Sequence, residues 1–244
     1  INQLRMHHKP WWVGLVEKSH LDKLIDLFRR DTIYVPPGQR ISNIEALLYY
    51  DVVQRLKRKN WDIDSILNRS HSAVQDLTFN CILIRAHDHL RSMAKVTGYE
   101  IPEWLHERVL KGKHHIVEKL WDPYSGQFYS RNFVTHKLIK EPSIATLMPL
   151  YAGVCNEAQT ESLLRLLHSK DNFGTHYPLP SVPVGYSWYH ELKYWQGPTW
   201  LNTNWLVIDG LERLGRTLEA DHIRDKSLEL VTKHGSYVYF SAKT

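Results

Sequence analysis

A twelve-residue stretch in the last quarter of the chain combines flat aromatic rings with amide side chains. Residues 194–205 are Tyr-Trp-Gln-Gly-Pro-Thr-Trp-Leu-Asn-Thr-Asn-Trp. Aromatic rings can stack on the C–H faces of sugars, and amides can match sugar hydroxyls, so the composition is typical of a carbohydrate-binding wall. A tryptophan-rich turn in the core has the same composition, because large aromatics dominate cores as well as binding sites. Composition alone leaves both interpretations open.

The local pattern predicts which element positions this stretch. Gly197-Pro198 marks a turn. Proline suits the first position of a helix, because the N–H group that it lacks has no intrahelical partner there. We therefore expect a loop that leads into the N-terminus of an apolar helix, with Trp195 and Trp200 on either side of the turn.

Histidines are numerous, but their spacing does not favour a metal site. The adjacent or nearly adjacent ones are His7 and His8, His87 and His89, and His114 and His115. Neighbours at i+1 or i+2 point to different faces of a helix, so they do not present two ligands to one ion. The sequence also lacks the HExxH, paired CxxC, GxGxxG and phosphate-loop motifs. We expect neither a metal nor a cofactor.

Acidic residues near loops are the remaining groups that could do chemistry. Glycoside hydrolysis needs two carboxyl groups, one acting as an acid and the other as a base or nucleophile. The candidates are Glu17, Asp22, Asp76, Asp122, Asp171 and Glu191. Asp22 and Asp76 open helical segments, where N-capping explains them, and Asp122 precedes a proline in a turn. Glu17 and Glu191 fit solvated loop acids, and spacing does not choose among the candidates.

Apolar residues recur at helical spacing along most of the chain, and no strand-rich block is present. The predicted helices span residues 21–28, 43–59, 75–97, 102–120, 144–152, 157–168, 199–214 and 218–234. A turn flanked by short extended pieces is predicted at 121–129. Long loops rich in Trp, Tyr, Pro and Asp separate the paired helices. We therefore predict one all-α domain over residues 1–244, built as an (α/α) toroid of helical hairpins.

Composition is that of an ordinary globular chain, with 244 residues, 43% hydrophobic and 23% charged. The net charge of +5 is distributed along the chain. The densest basic run, residues 55–59, lies at the end of a predicted helix, where positive charge is favourable. We therefore do not expect the protein to bind nucleic acid. We expect no membrane span and no secretory leader. Cys81 and Cys155 each lie among apolar residues in the sequence, so we predict that both are small core residues. We also expect the protein to lie in a reducing compartment, the cytoplasm. The chain begins with Ile1, and we expect a processed or shortened form.

Several motifs occur in an order that resembles a known family. Besides residues 194–205, the matching segments are 10–14, 74–83, 120–129, 149–153 and 179–182. Together they resemble the bacterial (α/α)6-barrel glycoside hydrolases related to mannosylglycerate and glucosylglycerate hydrolases, which are relatives of processing α-glucosidase I and, more distantly, trehalase. The resemblance implies a ring of twelve helices, of which this chain matches the later two-thirds. It therefore implies an incomplete barrel with an apolar edge, which a partner chain or a missing segment covers.

The resemblance places no carboxylate at the two proton-transferring positions. Val16 falls on the aspartate that is the family's general acid, and Val238 falls on the glutamate that is its general base. Valine cannot transfer a proton, and Glu17 replaces the acid only if the loop shifts by one residue. We expect Val16 and Val238 to face each other at about 6.5–9.5 Å, the carboxyl separation of an inverting enzyme. Gln196 stands where the family has an arginine.

The sequence and the resemblance favour a glycoside-hydrolase-like, carbohydrate-binding protein that is catalytically inactive and binds a small carbohydrate or glycoside. The predicted substrate-binding residues are Trp11, Tyr194, Trp195, Gln196, Gly197 and Trp200. One alternative is an active inverting α-glycosidase acting on a small glucoside or mannoside. Another is a helical interaction subunit that completes its ring with a partner chain. We expect Trp11, Trp121 and Trp195 at one end of the helical arc.

Overall fold

The computed structural model describes residues 9–31, 33–70 and 73–243, and these ranges are predominantly helical. Their α-helices are α1 Trp11–Lys18, α2 Asn43–Arg58, α3 Ile63–Arg69, α4 Leu77–Thr97, α5 Glu103–Leu120, α6 Met148–Ala152, α7 Glu157–His168, α8 Leu201–Arg213 and α9 Thr217–His234. Shorter 3-10 helices span Leu21–Leu27, Pro37–Gln39 and Ile144–Leu147. The prediction of an all-α chain is confirmed.

The extended pieces are two residues long and support loops rather than a core sheet. They are β1 Val74–Gln75, β2 Trp121–Asp122, β3 Gln127–Phe128 and β4 Arg131–Asn132. The strands β2 and β3 pair antiparallel, with Trp121 opposite Phe128, as the turn predicted at 121–129 requires. None of the helices in the described ranges has the length and hydrophobicity needed to cross a lipid bilayer.

The chain divides into two compact units, which are described separately. The first contains Ile1–Val74 and Asn132–Lys137, and the second contains Gln75–Arg131 and Leu138–Thr244. The assignment of residues 1–244 to a single family-type domain stays a prediction.

The first unit is organised around α1 and α2, where Val13, Ile44 and Leu48 form a small buried core. Two of its α-helices were not predicted. The segment 10–14, which the resemblance presents as a loop, lies at the start of α1, and α3 begins where Asp62 accepts a hydrogen bond from the Ser65 amide. The predicted helix at 21–28 is a 3-10 helix instead.

The second unit holds the larger core, in which helices pack on neighbours in the sequence and also on helices further along the chain. Helix α4 packs on α5, and α8 packs on α9, while the short α6 lies against both α4 and α8. Gly210 in α8 permits this close approach, because a Cβ atom there would come within 2.6 Å of the Tyr151 amide nitrogen in α6. An ion pair of 3.3 Å between Arg85 and Asp209 joins α4 to α8.

One face of α4 is apolar and exposed. It carries Phe79, Ile82, Leu83, Leu90 and Met93. These positions recur at helical spacing, whereas Leu77, Cys81 and Ile84 point into the core on the other face. An exposed apolar stripe of this kind marks an interaction surface more often than a solvated one.

Both cysteines are free thiols in apolar surroundings, as their neighbours in the sequence predict. Cys81 is buried and Cys155 is half-buried. Burial raises the pKa of the Cys81 thiol well above its usual value and that of Cys155 to about 12. Both thiols therefore stay protonated near neutral pH and serve as small packing residues.

Candidate functional site

Four aromatic residues of the second unit form one cluster, which we call the aromatic wall. It contains Tyr194, Trp195, Trp200 and Tyr239. The Trp195 and Trp200 rings stack in parallel, with centroids 3.8 Å apart and an interplanar angle of 2°. Tyr194 meets both tryptophans edge-on. Tyr239 is not among the predicted binding residues, and its ring centroid lies 5.1 Å from that of Trp200.

The two tryptophans differ in exposure, and this difference separates their roles. Trp200 is 3% exposed, and its indole N–H donates a hydrogen bond of 3.3 Å to the Tyr194 carbonyl. Trp195 is 43% exposed, so the stack leaves a large part of its indole ring in solvent. Trp200 is therefore a core residue that supports Trp195, as the core-turn interpretation expects, and sugar binding at Trp195 stays a prediction.

Ser181 and His190 form hydrogen bonds with the backbone of the predicted Gly-Pro turn. The Gly197 N–H donates to the Ser181 hydroxyl at 2.9 Å, and the His190 N–H donates to the Gln196 carbonyl at 2.7 Å. A Cβ atom on Gly197 would lie 2.2 Å from the His190 carbonyl oxygen. Only glycine fits this approach, so Gly197 positions Trp195 through the backbone.

The change Gly197→Ala should therefore destabilise the fold and displace Trp195. We expect a loss of about 1–3 kcal/mol in the free energy of unfolding, as for other overpacked sites. Denaturant unfolding measures the loss, and near-ultraviolet circular dichroism reports the tryptophan stack.

The matched control is Gly112→Ala in the interior of α5, where a Cβ atom meets nothing within 4 Å. This helical substitution should stabilise by about 0.5–1 kcal/mol. Equal stability of Gly197→Ala and the native chain, with an unchanged tryptophan signal, would contradict the assigned role of Gly197.

The C-terminal segment is joined to the wall through Thr199. Thr199 and Phe240 exchange two backbone hydrogen bonds, of 2.9 Å and 3.0 Å. The buried Thr199 hydroxyl donates to the Tyr177 carbonyl at 3.1 Å. Phe240 packs with Tyr177 and Leu230 in a separate small core. These contacts hold Tyr239 against Trp200.

A carboxylate lies beside the same C-terminal segment. Glu191 accepts a hydrogen bond of 2.5 Å from the hydroxyl of Ser241, two residues after Tyr239. Burial and then the Glu191 charge raise the pKa of Tyr189 to about 12. Composition gave Glu191 no better interpretation than a solvated loop acid, because the contact with Ser241 spans fifty residues.

The resemblance assigns Val16 and Val238 to the family's catalytic positions, and neither side chain can transfer a proton. Val238 directly precedes Tyr239, and its side chain is 69% exposed. Val16 lies in α1 of the first unit, and the adjacent Glu17 forms an ion pair with Lys9. Because Val16 and Val238 belong to different units, their separation stays a prediction.

The other predicted binding residues are distributed between the two units. Trp11 is 78% exposed in α1 of the first unit. Gln196 and Gly197 follow Trp195 in the second unit, where Gln196 is half-buried. The Trp121 ring packs against that of the buried Phe128, with centroids 4.7 Å apart and an interplanar angle of 55°. The expected grouping of Trp11, Trp121 and Trp195 at one end of the arc stays a prediction.

Two of the candidate acids have structural roles. Asp76 caps α4, where it accepts a hydrogen bond of 2.7 Å from the Phe79 amide, as the sequence analysis proposed. Asp122 is buried within 2.7 Å of the Lys140 ammonium, which holds the pKa of that carboxyl below its usual value. Across the described ranges, no group of three His, Cys, Asp or Glu side chains is placed to hold a metal ion.

Comparison with known proteins shows which family the chain resembles. The family model described as "Mannosylglycerate hydrolase MGH1-like glycoside hydrolase domain" matches residues 10–244. The chain is 28% identical over 242 residues to a mannosylglycerate hydrolase of Thermus thermophilus, and the match covers 98% of the chain and 57% of that relative. It is 29% identical to a mannosylglycerate hydrolase of Rubrobacter radiotolerans, and that match covers 98% of the chain and 55% of the relative.

A solved structure shows the same fold. The crystal structure of the GH63 mannosylglycerate hydrolase from Thermus thermophilus, in complex with Tris and D-glycerate, aligns with a TM-score of 0.82 at 28% identity. The alignment covers 88% of this chain and 52% of the enzyme. The predicted (α/α) toroid of helical hairpins is thereby confirmed. The chain spans about half the length of the curated relatives that it matches.

Proposed function

Because the chain belongs to the mannosylglycerate hydrolase MGH1-like glycoside hydrolase family, we propose that it binds a small neutral sugar or glycoside without hydrolysing it. The observation that carries the proposal is Val238. This exposed hydrocarbon side chain stands at the position that the resemblance gives to the general base, directly before Tyr239 of the aromatic wall.

The geometry of Trp195 supports sugar binding at the wall. One ring face is covered by Trp200, and the side chain keeps 43% of its surface exposed, which leaves room for a sugar to stack on it. The turn through Gly197 fixes the backbone that carries Trp195, so the ring loses little conformational freedom on binding and the ordering cost stays small.

The side chain at position 196 determines which ligands the wall prefers. Gln196 can donate hydrogen bonds to hydroxyls and accept them, but it lacks the charge that an arginine brings to a carboxylate such as that of glycerate. We therefore expect methyl mannoside or methyl glucoside to bind more tightly than mannosylglycerate.

Calorimetric titration of the native chain and the Gln196→Arg variant measures this preference. The substitution should strengthen mannosylglycerate binding by about fivefold or more, because charge-assisted hydrogen bonds are roughly twice as strong as neutral ones. The variant Lys193→Arg is the control for an added guanidinium near the wall and should leave the preference unchanged. Tighter binding of mannosylglycerate to the native chain would count against the proposal.

An active inverting α-glycosidase is the second candidate, and Glu191 is the observation that favours it. This half-buried carboxylate is held by Ser241, close in sequence to Tyr239. In this candidate Glu191 is a catalytic carboxyl group outside the positions that the resemblance gives to the acid and the base. Turnover of an aryl glycoside, abolished by Glu191→Gln, distinguishes this candidate from simple binding.

An interaction subunit is the third candidate, and the exposed face of α4 favours it. Phe79, Met93 and their apolar neighbours on that face suit a helical segment that completes the ring, supplied by the same polypeptide or by a partner chain. Sugar-dependent quenching of tryptophan fluorescence distinguishes the binding proposal from this candidate, because only binding at the wall perturbs Trp195.

A further inference from the structure

A second cleft lies between α4 and the start of α5, on elements that do not contribute to the aromatic wall. Its volume is about 280 Å³. His87, Arg91 and Lys95 line it from α4, and their spacing of four residues places them on one face of that helix. His106 and Glu103 line it from α5.

Two of the residues that line the cleft are histidines, His87 and His106. The His87 and His106 rings stack with centroids 5.6 Å apart at an angle of 29°. His87 is only 5% exposed, and its Nε2 atom is buried with no hydrogen-bond partner among the described residues. Leaving a buried polar atom unpaired is unfavourable, so a ligand oxygen that reaches this atom would supply the missing hydrogen bond.

The charges around the cleft are positive overall. The charged and titratable groups that act on His87 are His106, Asp88, Arg91 and Lys113. Asp88 is paired with Lys113 across the two helices at 3.4 Å, so the carboxylate is partly neutralised. No ion pair engages Arg91 or Lys95 within the part of the chain that the structure describes. Glu103 is exposed, so its carboxylate can remain hydrated at the rim.

We propose that this cleft binds a phosphate group, either as the free ion or as a phosphomonoester. Arg91 and Lys95 supply the charge for the anion, and the buried Nε2 of His87 donates a hydrogen bond to one of its oxygens. The cleft volume accommodates a tetrahedral oxyanion, and the two basic side chains favour an anion over a neutral ligand. This phosphate site is independent of the aromatic wall and of the function proposed for that wall.

The bound anion has a defined effect on the histidines. Burial, and then the neighbouring His106, lowers the pKa of His87, so its ring is neutral at pH 7. A dianion placed against the ring stabilises the imidazolium and raises that pKa. Because the folded-state pKa lies below the unfolded one, His87 destabilises the fold as pH falls below about 6.5, and phosphate should reduce this loss.

Imidazole resonances in ¹H–¹⁵N NMR spectra, recorded between about pH 5 and 8, test the proposal. The probes are inorganic phosphate, glucose 6-phosphate and acetate at equal ionic strength. The phosphate-containing ligands should raise the His87 pKa, while acetate should leave it nearly unchanged. Resonances of His114 and His115, on another part of α5, provide the internal control. Equal effects of acetate and phosphate, or no change at His87, would overturn the proposal.

Two arginine variants separate a built site from general attraction to a basic protein. Arg91→Gln should weaken phosphate binding by about tenfold or more, because it removes a charged hydrogen-bond donor. Arg30→Gln removes the same charge from an exposed position in the first unit and should change affinity by less than about twofold. Thermal unfolding verifies that both variants fold, and equal affinities in the two variants would refute the assignment.

Discussion

The chain should release no detectable sugar from mannosylglycerate or from nitrophenyl α-mannosides and α-glucosides. The reason is the pair of valines at positions 16 and 238, which the resemblance gives to the acid and the base. General acid and base groups each contribute about 10²–10⁴-fold to rate, so the loss of both removes most of the catalysis. A continuous nitrophenol assay at high protein concentration measures the residual rate.

The double variant Val16→Asp with Val238→Glu is the smallest change expected to restore hydrolysis. Each single variant should stay inactive, because inversion requires an acid and a base on opposite sides of the bond. A gain that appears only in the double variant supports the positions that the resemblance assigns. Rapid hydrolysis by the native chain would contradict them.

Carboxylates near the same positions supply the controls. Glu17→Gln and Glu191→Gln should leave the native chain as inactive as before. Native turnover that disappears in either variant would instead assign catalysis to a carboxylate outside the family positions, and the second candidate function would replace the first.

Trp195→Ala should weaken sugar binding by about 1–3 kcal/mol, which corresponds to about 5- to 150-fold in Kd. The change removes the partly exposed ring on which the sugar stacks in the proposal, and it leaves the neighbouring Trp200 in the sequence. Calorimetric titration with methyl mannoside and methyl glucoside measures the loss.

The matched control is Trp205→Ala in α8. Trp205 is 61% exposed and does not belong to the aromatic wall. Its removal should change sugar affinity by less than about twofold, because no wall contact is lost. An equal loss in both variants, or none in Trp195→Ala, would show that the sugar does not bind at the wall.

Helices with both an apolar stripe and an end signal were predictable from the sequence. The bounds of α7 agree residue by residue with the prediction, because Asn156 and Gln159 form a capping box before the stripe. The α4 helix likewise begins after the capping Asp76 and ends at Gly98, which has a φ of 74°. The helix α3 was missed although Asp62 caps it, because its seven residues are too short to show a clear period.

The site was predictable only in part, because its contacts are long-range. The sequence locates Trp195 and Trp200 beside a Gly-Pro turn, but it does not reveal that the two rings stack or that one is buried. The contribution of Tyr239 depends on the pairing of Thr199 with Phe240, forty-one residues apart in the chain. The spacing of apolar residues along the chain predicts local elements but carries no information about such long-range pairings.

Saturation-transfer NMR on the native chain with a nitrophenyl α-mannoside and its α-glucoside counterpart is the most direct test of binding without hydrolysis. The same sample reports contact of the intact ligand with the protein and any release of free sugar over time. We predict saturation transfer to the sugar ring protons, its loss in Trp195→Ala, and no growth of free-sugar resonances. Accumulation of free sugar, or the absence of transfer to either ligand, would contradict the account.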